Sequence, residues 1–192
     1  REAADELKQY GDLRNVIVHE HIDHQPIAEP HEKVVLRLEQ ILQLLQKPPR
    51  VEDDFLGPVS VLEPDDSLKA AALLMYKNGY SKIPIYEGRK FLGLLTAEGI
   101  THWLGENLQK DAYNCGDQSI RGILEYSRDR THCTFVSRQC SVFEVANVFD
   151  EASHQGQRLQ AVLITEDGDK DQTPLGIITI FDLPRIYRRL EG

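Results

Sequence analysis

The 192-residue chain has no run near the roughly 20 apolar residues of a membrane-spanning helix, and no basic-then-apolar leader. A cytoplasmic protein with no membrane partner is the expectation. Cysteine is scarce: Cys115, Cys133 and Cys140 are odd in number and lack the CxxC spacing of a zinc or redox site, so free thiols in a reducing compartment are expected. Positive charge is outnumbered, with 22 Lys and Arg against 31 Asp and Glu and a net charge of −9. That balance excludes a generic surface for coating nucleic acid and leaves room only for a confined basic cluster. An initiator methionine is lacking before Arg1, which points to a fragment or a processed product. What remains, 41% apolar and 28% charged, is ordinary for a globular protein and excludes fibrous and disordered classes.

Two segments can be separated. Residues 33–45 place Val34, Leu38, Ile41, Leu42 and Leu45 on one stripe, which predicts an amphipathic helix ended by Pro48 and Pro49. Residues 2–20 read as a second helix, and His21 to Pro30 as an irregular connection. The charged joint Glu52-Asp53-Asp54 follows, so a boundary falls near residue 48.

Beyond it one unit is written twice. Val59 to Leu62 reads as a strand, Ser67 as a helix start, and Leu68, Ala71, Ala72, Met75 and Tyr76 as a helical stripe closed by Asn78-Gly79. Ile83 to Tyr86 and Phe91 to Leu95 form a hairpin, and a helix starts at Thr96. The same order returns as strand Thr134 to Val136, Ser141, the stripe Val142, Val145, Ala146 and Phe149, strands Ala161 to Ile164 and Leu175 to Ile178, and a helix from Thr179. Offsets between matching positions grow only in loops, the way duplicated β-α-β-β-α units diverge. A unit of about 60 residues buries only about 60% of its surface alone, so two should pack sheet to sheet.

The copies end differently. The second closes Gly176-Ile177-Ile178-Thr179-Ile180-Phe181-Asp182, the first Gly93-Leu94-Leu95-Thr96-Ala97-Glu98-Gly99. Thr179 at a helix start can hold a phosphate beside exposed N–H groups, and Asp182 can accept both hydrogens of a ribose diol. Thr-x-x-Asp is equally a capping box on a helix that binds nothing, and both readings stand. Gly99 removes the carboxylate from the first copy, leaving Thr96 to cap its helix or meet a phosphate. Arg185 and Arg189 share a helix face with Arg188 nearby; they can meet anions or simply balance a helix C-terminus.

Over roughly residues 52–192 the element order, the Ile-Pro-Ile phrase and the repeated Gly-h-h-Thr motif resemble tandem cystathionine-β-synthase (CBS) domains, the Bateman module. The resemblance implies an α/β fold of the α+β kind: paired β-α-β-β-α repeats packed sheet to sheet about a pseudo-twofold axis, behind a short helical segment. Residues 1–47 would be that segment, 52–105 the first repeat and 115–192 the second. It implies regulation rather than catalysis, with no required cofactor and an adenine nucleotide (AMP, ADP, ATP or a cyclic dinucleotide) as ligand. A homodimer and no bound nucleic acid are further expectations. The ligand set would be Thr179, Asp182, Ile180, Val136, Leu159, Gln160 and Ala161, with Lys82 and Thr96 as the first repeat's phosphate contacts.

Arg14-Asn15-Val16-Ile17-Val18-His19 resembles the Arg-Asn-x-x-x-His signature of HEPN helical domains. In that alternative, a longer chain would cleave RNA, with Arg14 stabilising phosphate charge, Asn15 orienting the site and His19 acting as acid or base. About 47 residues are too few for a full bundle, so a dimerisation arm or a disordered lead-in is the other reading. His19, His21, His24 and His31 do not keep the i, i+4 face of a helical zinc site, so no metal is expected.

Overall fold

The computed structural model describes residues 2–22, 25–26, 28–108, 117–124 and 133–191. Cys115 and His24 lie outside them. The chain divides into two compact units, Arg1–Pro49 with Arg188–Gly192, and Arg50–Tyr187.

The first unit holds α1 (Glu2–His19) and α2 (Glu32–Gln46), with a two-residue ladder between β1 (His21–Ile22) and β2 (Gln25–Pro26) in the segment expected to be irregular. Two residues are too few for alternation to show in a sequence. His31 caps α2, its Nδ1 accepting from the Lys33 N–H at 3.2 Å. Arg37 of α2 donates to the Glu6 carboxylate of α1 at 3.2 Å. Tyr10 donates to that carboxylate at 2.6 Å, and these two bonds, Tyr10's first, hold the Glu6 carboxyl below the usual range. The α2 stripe is only partly covered: Ile41 is buried, but Leu42 is 52% and Leu45 64% exposed. One facing helix cannot cover a stripe this wide.

The second unit contains the repeats. In the first, Ser67 caps α4 (Leu68–Asn78), its hydroxyl accepting from the Ala70 N–H at 3.1 Å. Gly79, in the left-handed region at φ 68°, ends it. Next come β3 (Lys82–Glu87), β4 (Lys90–Thr96) and α5 (Ala97–Leu108). In the second repeat β5 (Cys133–Ser137) runs parallel to β6 (Ala161–Thr165), with α7 (Val142–His154) as the crossover, and β7 (Gly176–Ile178) completes the sheet antiparallel. Ser141 and Glu144 form a reciprocal capping box on α7. The two hairpins share one register. Ile83 faces Leu95 and Ile85 faces Gly93, just as Val162 faces Ile178 and Ile164 faces Gly176. The duplication is therefore a duplication of ladders as well as of phrases.

Two short helices complete the unit by exchange. α3 (Val51–Asp54) precedes the first repeat but docks on the second: the Val51 N–H donates to the Cys140 carbonyl and the Gly57 N–H to the Leu175 carbonyl, both at 2.9 Å. α6 (Ile120–Leu124) precedes the second repeat but docks on the first, the Ile120 N–H donating to Asp66 and the Arg121 N–H to Pro64. Ile120, Ile123 and Leu124 accordingly sit in one buried cluster with Leu68, Ile83 and Trp103. The exchange explains why the expected strand Val59 to Leu62 shrinks to a single bridge between Leu62 and Ile85. Between Gly57, held by the second repeat, and Leu62, held by the first, the four residues 58–61 join no ladder.

The repeats meet through aromatic rings and one anchored amide. Phe91 of β4 packs edge-on against Phe135 of β5 at 4.9 Å and against Tyr86 at 5.3 Å. The Phe91 N–H donates to Asp171 at 2.9 Å, tying the first hairpin to a loop of the second repeat.

Candidate functional site

The helix expected from Thr179 begins as a 3-10 turn, Ile180–Asp182, and continues as α8 (Leu183–Glu191). Thr179 stays extended, and one carboxylate oxygen closes the turn: Asp182 Oδ2 accepts from the Thr179 N–H at 2.7 Å and from the Thr179 hydroxyl at 2.9 Å. Among the described residues no partner is seen for Asp182 Oδ1, and the residue is half-buried. The capping interaction is thus real and uses half of the carboxylate's acceptor capacity.

This turn borders a cleft of about 550 Å³, within the range of small-molecule sites. Ile180 and Leu183 line it on either side of Asp182, facing Phe149, Asp150 and Ser153 of α7 and residues 156–160. Of the residues read from the sequence, the cleft brings together Ile180, Leu159 and Gln160, with Thr179 and Asp182 adjoining. Val136 lies in β5 opposite Ile164, and Ala161 is fully buried at the start of β6. Neither lines the cleft.

Lys82 and Thr96 are direct cross-strand partners at the matching end of the first hairpin. Thr96 is committed to its helix, its hydroxyl accepting from the Gly99 N–H at 2.9 Å. Lys82 Nζ lies 6.0 Å from the ring centre of Phe181, the exposed middle residue of the 3-10 turn, and burial lowers the amine's pKa. The first repeat's cation thus stands beside the second repeat's turn. Phe181 was not legible as a site residue, because an exposed aromatic in a phrase of apolar residues reads as core.

The cleft combines three aliphatic side chains, Leu159, Ile180 and Leu183, with the ring of Phe149, a carboxylate at Asp150, a guanidinium at Arg158 and the amides of Gln157 and Gln160. Such a lining suits a ligand with a flat apolar part, several hydrogen-bonding groups and an anionic end. Arg158, on the segment leading into β6, is the cation that lines it; Arg185 is engaged elsewhere. The Arg185 guanidinium donates to the Asp54 carbonyl at 2.6 Å and stacks 4.7 Å over Phe55, clamping α3 to the second repeat. In the helical unit, Arg14 donates to Asn15 at 3.2 Å, and His19 ends α1. Five residues apart, Arg14 and His19 point about 140° from each other around one helix.

Residues 53–106 match the family model of the CBS domain. The fold is that of a CBS-domain pair. Among solved structures, the chain is similar to a putative acetoin utilization protein (AcuB) from Vibrio cholerae, at 19% identity and TM-score 0.53, over 73% of this chain and 91% of that one. It is similar to CBSX2 in complex with AMP, at 17% identity and TM-score 0.51, over 75% and 99% of the two chains. The CBS domain pair of protein MJ0100, in complex with 5′-methylthioadenosine and S-adenosyl-L-methionine, aligns at 20% identity and TM-score 0.54 over 73% and 97%. No protein of curated function matches the sequence. Within the CBS pair, the unequal ends of the two repeats now have geometry: Thr96 caps onto a glycine N–H, while Thr179 is closed by a carboxylate beside an open cleft. Among the described residues, no helix is long and apolar enough to cross a membrane.

Proposed function

We propose that this chain is a regulatory CBS pair that binds an adenine nucleotide (AMP, ADP, ATP or a cyclic dinucleotide) at the cleft bordered by Ile180 and Leu183. One observation carries the reading: the Asp182 carboxylate, fixed by two hydrogen bonds to Oδ2 and with no partner for Oδ1 among the described residues, stands between two residues that line a nucleotide-sized cleft. The remaining oxygen accepts from the ribose hydroxyls, the base lies along Leu159 and Ile180, and Arg158 meets the phosphate. The two relatives solved with adenosine-containing ligands support this class of ligand. Lys82 lies beside the Phe181 of the other repeat, so a ligand reaching both would shift the angle between repeats or the contacts of a homodimer. The role is regulatory rather than catalytic, and the compartment is the cytoplasm.

Thermal melts with AMP, ADP, ATP, adenosine and cyclic di-AMP test it. At a hundredfold excess over the dissociation constant, ligand binding stabilises by about 2.7 kcal/mol. For a chain of this size that raises Tm by roughly 5–11 °C. Asp182→Ala removes the shift. A flat melting temperature with every nucleotide contradicts the proposal and favours the second reading: a dimerisation module in which Asp182 only closes the turn onto Thr179, the contact seen in the structure.

A further inference from the structure

The cleft bordered by Ile180 and Leu183 carries an unequal set of charges. Its lining holds one cation, Arg158, and one carboxylate, Asp150, and Asp182, between two lining residues, adds a second carboxylate. Among the described residues Arg158 makes no hydrogen bond or ion pair, so its guanidinium is open to a ligand. Asp150 keeps its charge as well. Its Oδ1 accepts from the Tyr187 hydroxyl at 3.4 Å, a long bond from a neutral group. Ser153, one turn further along α7, lines the same cleft, so this face of the helix looks into it. The other cations near the turn are placed elsewhere: Arg185 is held by the Asp54 carbonyl and Phe55, and Lys82 stands beside Phe181, which does not line the cleft.

We propose that the cleft takes adenosine bearing a single phosphate and discriminates against longer phosphate chains, with Asp150 setting the limit. This selectivity rests on the reading of the cleft as a nucleotide site. A guanidinium binds phosphate oxygens through paired N–H donors. A phosphomonoester brings about −1.5 to −2 charge at pH 7, which Arg158 and the neutral donors of Ser153, Gln157 and Gln160 receive. Each further phosphoryl group adds negative charge but finds no second cation in the lining. It must instead share a cleft of about 550 Å³ with Asp150 and Asp182. Aliphatic walls lower the local dielectric, so like charges there repel more strongly than in open water. A group that opposes the wrong ligand gives specificity as surely as one that grips the right ligand. Adenosine lacks the group that Arg158 receives and binds more weakly than AMP.

Titration calorimetry of the whole chain with AMP, ADP, ATP and adenosine, at about 50 mM salt and without magnesium, tests the proposal. The expected result is AMP at one site per chain, with ADP and ATP about tenfold weaker or more, and a gap that narrows as salt rises. Asp150→Asn removes the charge from an exposed helical position and raises the affinity for ATP about fivefold more than that for AMP. Arg158→Gln weakens AMP about tenfold more than it weakens adenosine. ATP binding as tightly as AMP in the wild-type chain overturns the selectivity and leaves the nucleotide site standing. So does an AMP-to-ATP ratio that stays within twofold of wild type in Asp150→Asn. Binding by none of the four overturns the selectivity and the nucleotide site together.

Discussion

Replacing Gly176 with alanine probes the exchange of short helices on which the paired repeats are built. A Cβ at this position would lie 2.3 Å from the Phe55 carbonyl oxygen and 2.9 Å from Ile164 Cδ1. The isoleucine methyl can swing away. The carbonyl cannot, because the Phe55 N–H donates to Val51 and the Gly57 N–H to Leu175, both at 2.9 Å, and these bonds fix the backbone on either side. A carbon–oxygen contact of about 3.3 Å would need a shift of roughly 1 Å, lifting the end of α3 off the second sheet. Such overpacking costs about 1–3 kcal/mol. At about 2–4 °C per kcal/mol, Tm falls by roughly 2–12 °C. Gly105 of α5 is the internal control. A Cβ there would meet nothing within 4 Å and its φ is not positive, so Gly105→Ala does not lower Tm. Differential scanning calorimetry of the two variants decides. Equal drops, or a Gly176→Ala chain that melts like wild type, would refute the docking of α3 on the second repeat.

Three further outcomes follow from single contacts. Asp182→Ala costs about 1 kcal/mol through the lost turn closure, read as a lower urea midpoint without ligand. The Ser141 N–H and then its hydroxyl hold the Glu144 carboxyl below 4.5, so the unfolded chain takes up that proton first as pH falls. The stability from this cap is present above about pH 4.5 and lost below it; Glu144→Gln flattens that acid limb in denaturation curves, and an unchanged limb contradicts the assignment. Burial raises the Cys133 thiol to about 11, and burial with the Glu144 carboxylate raises Cys140 to about 12. Iodoacetamide at pH 8 therefore labels both at least about a hundredfold more slowly than a free cysteine, as peptide mass spectrometry would show.

Helices with wide apolar stripes and clear caps were legible in the sequence. α2, α4 and α7 fall where periodicity, Ser67, Ser141 and Gly79 place them, and the matched phrases foretold matched ladders. What escaped were elements whose reason lies elsewhere in the chain. α3 and α6 have four and five residues, fewer than periodicity can register, and form because the opposite repeat supplies their hydrogen-bond partners. Leu62 alone pairs where a strand was expected, because the exchange pulls its neighbours away. At the candidate site, the sequence located the 3-10 turn and the segment before β6. It could not show that Arg185 is engaged by Asp54, that Ala161 points into the core, or that Phe181 meets Lys82. Each of those depends on how one repeat lies against a distant segment.

The most direct test of the central claim is isothermal titration of the intact chain with AMP, ADP, ATP and cyclic di-AMP, alongside Asp182→Ala. Saturable binding of at least one of these at one site per chain, lost in Asp182→Ala, is the expected result. Binding by none of the four, or equal binding by wild type and Asp182→Ala, would contradict it.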